Sequence, residues 1–159
     1  MMDKTSIYRS ARLLYRGIAL SDADDIVRWR SDPKNYQHFF SARAVTMEEH
    51  LAWYSEYTRD KTRFDFMIID DERPIGTVGL SSICEESCEI SYMIGEASVR
   101  GMGYATEAVE AMTKEAFLEL GVEEVIARIL PSNAASARVV SKAGFEEVER
   151  LYRRTRFSV

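Results

Sequence analysis

The residues with the most specific chemical potential in this chain form the stretch RGMGYAT, from Arg100 to Thr106. Gly101 and Gly103 directly precede a pattern that predicts a helix over 105–120. The first N–H groups of a helix have no partner within it and concentrate positive potential, so an anion can dock there. Glycine lets the backbone approach a diphosphate closely because it has no Cβ. The stretch predicts a pyrophosphate cradle, or, in the simpler interpretation, only a tight loop.

The stretch matches neither of two common phosphate motifs, since it lacks the Gly-Lys-Ser/Thr of the P-loop and the third glycine of the dinucleotide fingerprint. The formal net charge of the chain is -5. This acidic balance gives no global positive field that would attract nucleic acid or an anionic membrane. Any bound phosphate must therefore be held by local groups, and we expect neither nucleic acid nor a membrane as partner.

Length and composition indicate a single globular domain over residues 1–159, because 159 residues with 46% hydrophobic side chains suffice for one substantial core. No apolar run approaches the roughly 20 residues of a membrane span, and the start lacks a signal-peptide pattern, so we expect a cytoplasmic protein. With two distant histidines we expect no metal. Cys84 and Cys88 are interpreted as inert thiols beside a turn, with a disulfide or a metal as alternatives.

Hydrophobic periodicity predicts the elements that would position this stretch. The first half begins with a strand over 13–20 and a helix with Ser21 as N-cap. A loop or broken helix leads to a second helix, opened by Thr46 and Glu49 as a capping box. From Phe64 the period changes to two, which predicts three strands joined by tight turns at DERP and CEES.

The second half predicts a helix that ends at Gly121, a strand over 122–130, a short helix over 133–143 that ends at Gly144, and an alternating tail over 145–159. Strands and helices in this order indicate an α+β domain built on a mixed sheet.

Two motifs of the chain resemble the signatures of the GNAT superfamily of N-acetyltransferases. RGMGYA matches its Arg/Gln-x-x-Gly-x-Gly/Ala signature, and PSNAASARVVSKAGF is similar to its second signature. The resemblance covers residues 13–145. It implies the GNAT fold, with a mixed, mostly antiparallel sheet of six or seven strands and about four helices. The fourth and fifth strands, counted from the strand over 13–20, would splay apart and leave a slot for the pantetheine arm of acetyl-CoA.

The resemblance also implies the residues that hold acetyl-CoA. Its diphosphate would bind the amides of the glycine-rich stretch, which are those of Arg100, Gly101, Met102, Gly103, Tyr104, Ala105 and Thr106. The pantetheine would pair with Tyr92, Met93 and Ile94 and with the side chain of Asn133, and an amide at Met93 or Ile94 would hold the thioester carbonyl. Asn133 has a second interpretation as the N-cap of the short helix.

Two residues are candidates for proton transfer. Glu89 occupies the place of the catalytic glutamate in the histone-acetylating branch of the superfamily, although a glutamate on a half-exposed strand is otherwise a solvated charge. Many members have a tyrosine seven residues after the asparagine, beside the sulfur, as the general acid, but here that position is Val140. Ser136 matches a serine proposed as the acid in RimJ/RimL-type acetyltransferases, with a helix-capping serine or a water molecule as alternatives.

The acceptor is predicted to be a weakly basic amine, because a lysine-like amine is neutral only in about one part in a few thousand at pH 7. The N-terminal third is similar to acetyltransferases of nucleotide-linked amino sugars, the PseH type. Arg28 and Arg30 with nearby rings would suit a diphosphate and a base, or else the rings are core and the arginines surface. The similarity involves Trp29, Arg30, Asp32, His50, Trp53 and Tyr54.

These features predict an acetyl-CoA-dependent N-acetyltransferase of a small-molecule amine, most simply a nucleotide-linked amino sugar. The alternatives are a RimJ/RimL-type acetyltransferase of protein N-termini and a CoA-binding module without turnover. The sequence leaves open whether the protein is a monomer or a homodimer. A basic end of the chain could meet the CoA 3′-phosphate or be a solvated face; its residues are Arg150, Arg153, Arg154 and Arg156.

Overall fold

The structure is a computed structural model that describes residues 1–149 and Arg154. Six strands form one sheet in the spatial order of the chain: β1 (Ile7–Arg9), β2 (Leu14–Gly17), β3 (Phe64–Asp70), β4 (Arg73–Ser81), β5 (Ser87–Ile94) and β6 (Glu124–Ile126). The α-helices are α1 (Ala23–Ser31), α2 (Pro33–Tyr36), α3 (Met47–Tyr57), α4 (Tyr104–Glu115) and α5 (Ala134–Lys142). A π-helical turn, Ala116–Leu120, continues α4.

The sheet is mixed and mostly antiparallel, as predicted. Strands β1 to β5 pair antiparallel with their neighbours, and β5 pairs with β6 in parallel. Asp71 and Glu72 at the β3–β4 turn have φ values of 45° and 69°, which is the backbone of the tight hairpin predicted at DERP.

Strands β5 and β6 part after a short contact. Their register runs only from Ser87 opposite Glu124 to Glu89 opposite Ile126, whereas β5 continues to Ile94 in contact with β4 alone. This separation confirms the predicted splay. The pair is numbered β5 and β6 here because the structure has an additional first strand.

Apolar side chains cover both faces of the sheet. On β3, Phe66 and Ile68 belong to the cluster that includes Met112 of α4, whereas Met67 belongs to the cluster that includes Trp29 of α1. Since successive strand residues point to opposite faces, α4 packs on one face and α1 on the other. A site at the edge where β5 and β6 part would therefore have α4 on one face of the sheet and α1 on the other.

The predicted helix ends are largely confirmed. Thr46 accepts a hydrogen bond from the N–H of Glu49 at 3.1 Å, and Gly121 and Gly144 follow their helices with φ values of 68° and 88°. The prediction for Ser21 is wrong, because a short 3₁₀ turn precedes α1. There Asp22 accepts from the N–H of Ala19 at 2.7 Å.

Other differences concern short elements. Strand β1 was not predicted, and β6 is much shorter than the predicted strand over 122–130. The short helix α2 lies in the segment predicted as a loop or broken helix. Residues 145–149 contain no strand, and the rest of the predicted tail, apart from Arg154, lies outside the described residues. Cys84 and Cys88 are free thiols. Among the described residues, no helix has the length and apolarity needed to traverse a bilayer.

Candidate functional site

A cleft of about 840 Å³ opens where β5 and β6 part. One end is lined by the second half of β5, residues 100–106, the segment 127–130 and α5. We call it the turn end. The other end is lined by residues of α1, α2, α3 and β3 and by the loop after α2, and we call it the acceptor end. The residues that line the cleft include Arg30, Trp53, Arg63, Asp65, Ser91, Tyr92, Met93, Ile94, Arg100, Gly101, Gly103, Tyr104, Ala105, Thr106, Arg128, Asn133 and Ser136.

The glycine-rich turn leaves its main-chain donors free. Gly101 and Gly103 have φ values of 77° and 79°, and Gly103 is the N-cap of α4. The N–H groups of residues 101–106 donate no hydrogen bond to any described residue. Of this stretch, only Met102 does not line the cleft; its side chain is 52% exposed. Consecutive free donors at a helix N-terminus form an anion-binding arrangement.

Arg12 holds this turn from behind. Its Nη1 donates to the carbonyl oxygen of Met102 at 2.9 Å, and its guanidinium lies 4.4 Å from the ring centroid of Tyr104. Its Nε also donates to Glu107 at 2.6 Å. Burial acts to raise the pKa of the Glu107 carboxyl, but hydrogen bonds from Ser10 and Arg12 outweigh it and lower that pKa. Glu107 therefore stays ionised and fixes Arg12.

The side chain of Arg100 folds back against the protein. Its guanidinium donates to the side-chain oxygen of Asn35 in α2, and its Nε donates to the carbonyl of Ile94 at 3.4 Å. Asn35 is buried and donates to the carbonyl oxygen of Trp29 at 2.9 Å. Arg100 thus ties the glycine-rich turn to the helices of the acceptor end.

Trp29 packs against the backbone at the end of β5. A Cβ on Gly95 would lie 2.2 Å from the Trp29 ring, so the ring packs directly against the backbone there. Its Nε1 donates to Glu96 at 2.9 Å, and Arg28 donates to the same oxygen at 2.7 Å. Neither Trp29 nor Arg28 lines the cleft. These contacts fix α1 against the strand that leads into the glycine-rich turn.

The predicted pantetheine-binding residues lie together. Tyr92, Met93 and Ile94 line the cleft on the part of β5 that does not pair with β6. Asn133 faces them from the start of α5, and its Oδ1 accepts from the N–H of Ser136 at 3.1 Å. The N-cap interpretation of Asn133 is therefore confirmed. Its side-chain NH₂ donates to no described residue and is free to meet a ligand.

The structure places Glu89 at the point of separation but not among the lining residues of the cleft. Its side chain is 30% exposed, and Arg128 donates to its Oε1 at 2.5 Å. Ser91, two residues further on the same strand face, does line the cleft. A role of Glu89 in proton transfer would act through a bridging water.

Two arginines and one carboxylate line the acceptor end. Arg63 binds Asp65 through Nε at 2.6 Å and Nη2 at 3.2 Å, and Asp65 is buried. A Cβ on Gly79 would lie 2.1 Å from the Asp65 carboxylate, so glycine provides the space for it. Arg30 lies beside the ring of Phe39, and its buried Nε has no hydrogen-bond partner among the described residues. Burial and, to a smaller extent, Arg63 lower the pKa of Arg30.

The other residues of the predicted acceptor site divide between cleft and core. Trp53 lines the cleft, and its ring stacks on His50 at a centroid distance of 5.7 Å. His50 is buried, and its Nε2 has no hydrogen-bond partner among the described residues. Burial, and to a smaller extent the charge of Arg30, lowers the pKa of His50. His50, Asp32 and Tyr54 do not line the cleft.

Positive charge is concentrated in the cleft although the chain has a formal net charge of -5. Seven Lys or Arg residues and a single carboxylate, Asp65, are among the lining residues that the structure describes. The cations are Arg30, Lys34, Arg63, Arg100, Arg128, Arg138 and Lys142. The described residues contain no His, Cys, Asp and Glu group that could hold a metal ion. The cleft therefore suits ligands with several anionic groups.

Comparison with known proteins relates this chain to acetyltransferases. The family model "Acetyltransferase (GNAT) domain" matches residues 12–146. The chain is 30% identical to the probable N-acetyltransferase YjcK of Bacillus subtilis, covering 83% of this chain and 79% of that protein. It is 24% identical to the acetyltransferase PseH of Campylobacter jejuni, covering 76% of this chain and 74% of PseH.

A third relative is an uncharacterised protein of Methanocaldococcus jannaschii, MJ1062, at 26% identity; the match covers 91% of this chain but only 30% of that protein. Among solved structures, a spermidine N-acetyltransferase from Vibrio cholerae in complex with CoA and spermine superposes with a TM-score of 0.83. Its identity is 19%, covering 89% of this chain and 85% of that one, which shows a shared fold. The chain belongs to the acetyltransferase (GNAT) domain family.

Proposed function

We propose that this acetyltransferase moves an acetyl group from acetyl-CoA to a primary amine on an anionic small molecule, such as a nucleotide-linked amino sugar. The observation that carries the proposal is the cleft itself, in which free main-chain donors at the turn end and uncompensated arginine charge at the acceptor end flank one continuous gap.

The turn end fits the donor substrate. The free N–H groups of residues 101–106 suit the diphosphate of CoA, since they bind oxygen anions without the cost of ordering long side chains. The unpaired edge of β5 at Tyr92 to Ile94 suits the amides of pantetheine, and the free NH₂ of Asn133 can donate to a pantetheine carbonyl. An acyl group extended along this path would reach the point where the two ends of the cleft meet.

The acceptor end fits an anion better than a polyamine. Asp65 is engaged by Arg63, so Arg30 remains as a cation without a partner among the described residues. A cationic chain placed here would meet like charge in a partly buried site, whereas a phosphate would gain charge-assisted hydrogen bonds. Trp53 lines the same end, and the Arg63 guanidinium lies 5.3 Å from its ring centroid.

Acetyl transfer requires a neutral amine, a polarised thioester and a proton for the thiolate. We assign the thioester carbonyl to the main-chain N–H of Met93 or Ile94, and we propose Glu89, acting through a water, as the group that accepts the amine proton. Ser136 lies in the first turn of α5 next to Asn133, where the sulfur would lie.

Thiol release from acetyl-CoA across UDP-amino sugars, N-terminal peptides and polyamines tests this function. We expect release with one of the sugars and not with the polyamines. Release with N-terminal peptides alone would favour the RimJ/RimL-type activity. Tight binding of acetyl-CoA without acceptor-dependent release from any amine would leave a CoA-binding module.

Replacing Glu89 with glutamine tests the proton acceptor. We expect the E89Q variant to lower kcat/KM for the amine by about 100-fold near pH 6 and by less at pH 9, because more of the amine is already neutral at higher pH. The measurement is the pH profile of thiol release. Asp65→Asn is the competing variant, since Asp65 is the carboxylate that lines the described cleft; a loss in D65N with an unchanged E89Q profile would overturn the assignment.

A further inference from the structure

Tyr92 bridges the two walls of the turn end. It lies on β5, and its hydroxyl donates to the main-chain oxygen of Ser136 in the first turn of α5, at 3.2 Å. Both residues line the cleft, and Tyr92 is only half-buried. A ligand arm that passes between β5 and α5 must therefore pass this phenol.

We propose that the phenol of Tyr92 donates the proton that the CoA thiolate takes up when acetyl transfer breaks the thioester. This rests on the proposed function, because it assigns one step of the same reaction. It fills a gap in the site: Val140, one helical turn after Ser136 on α5, has no proton to donate.

Other proton-bearing groups near this point are less suitable. Ser136 carries a hydroxyl that is a far weaker acid than a phenol, whose pKa is about 10. Ser91 also lines the cleft, but its hydroxyl is likewise a far weaker acid than a phenol. Lys142 is exposed and lies six residues from Ser136, which corresponds to about 9 Å along α5.

The proposed step balances without any further reactant. The neutral amine attacks the acetyl carbon, a C–N bond forms, and the C–S bond breaks with its electron pair moving to sulfur. The Tyr92 hydroxyl proton then moves to sulfur, and the phenolate regains a proton from the one that the nitrogen releases to solvent. Burial raises the pKa of Tyr92, although its hydrogen bond with Ser136 acts to lower it, so the phenol is protonated at neutral pH.

Tyr92→Phe tests the proposal because it keeps the ring and removes only the hydroxyl. We expect kcat for thiol release at saturating amine to fall about 100-fold, with KM for acetyl-CoA within about twofold of the wild type. The wild-type rate should also decline at alkaline pH as the phenol ionises, above about pH 10, and this limb should be absent from the variant. Tyr8→Phe is the matched control, since Tyr8 is half-buried on β1 and does not line the cleft.

The outcomes separate this proposal from the proposed function. If no amine of the panel is accepted, the acceptor assignment fails, and the same comparison is made on the hydrolysis of acetyl-CoA by the wild type and Y92F. An unchanged kcat in Y92F would overturn the role of Tyr92. A kcat loss in Ser136→Ala without one in Y92F would give the proton to Ser136 instead. Loss of acetyl-CoA affinity with kcat intact would make Tyr92 a binding residue only.

Discussion

Replacing Gly103 with valine is expected to raise the dissociation constant of CoA by roughly 100-fold, which corresponds to the loss of one or two hydrogen bonds to a charged group. Gly103 has a φ of 79°, a left-handed conformation that costs a residue with a Cβ about 1–2 kcal/mol. Valine therefore shifts the backbone out of the geometry in which residues 101–106 present their N–H groups. A Cβ on this residue would also lie 3.5 Å from Nη2 of Arg12, so the branched side chain crowds the arginine that holds the turn.

Gly121→Val is the matched control for this experiment. Gly121 has a φ of 68° and follows the π-helical turn that continues α4, and it does not line the cleft. Both variants should lose similar stability, measured as the midpoint of thermal unfolding, whereas only the Gly103 variant should lose CoA affinity in calorimetric titration. Equal affinities in the two variants would show that the glycine-rich turn does not bind the diphosphate.

Replacing Arg30 with glutamine is expected to raise KM for a UDP-amino sugar by about 30-fold, because a charge-assisted hydrogen bond contributes about 1.5–3 kcal/mol. Arg30 lines the acceptor end, and among the described residues its buried Nε has no hydrogen-bond partner and its guanidinium forms no ion pair. KM for a small amine that carries no phosphate should change little, since such an acceptor has no anionic group to bind the guanidinium.

Arg28→Gln provides the comparison for Arg30, since both residues lie on α1. Arg28 is exposed, pairs with Asp25 and Glu96, and does not line the cleft. We expect its KM for the sugar nucleotide to remain near that of the wild type. Equal losses in both variants would indicate a general effect on α1, and no loss in the Arg30 variant would remove the anionic acceptor from the proposal.

Local signals in the sequence predicted much of the fold. The glycines after α4 and α5, the Thr46 cap and the tight turn at Asp71 and Glu72 are confirmed. The separation of β5 from β6, which the resemblance to the GNAT superfamily implied, is confirmed as well. Each depends on a few neighbouring residues or on two motifs at a fixed distance. Strand β1 was missed because three residues are too few for a period to be recognised.

Contacts between distant segments could not be predicted in this way. Arg12 and Glu107 are 95 residues apart, and no local pattern indicates that they will pair or that Arg12 will hold the glycine-rich turn. The hydroxyl of Tyr92 donates to Ser136, which lies 44 residues further along the chain, and strand alternation cannot predict such a contact. For the same reason, alternation alone did not indicate that Arg128 would engage Glu89.

We propose that free main-chain donors ahead of α4 bind the diphosphate of CoA, and amide NMR tests this binding most directly. Titration of the nitrogen-15-labelled protein with CoA should move the amide proton resonances of residues 101–106 strongly downfield, as expected for new hydrogen bonds to an anion. Saturable CoA binding that leaves these six resonances in place would contradict the account.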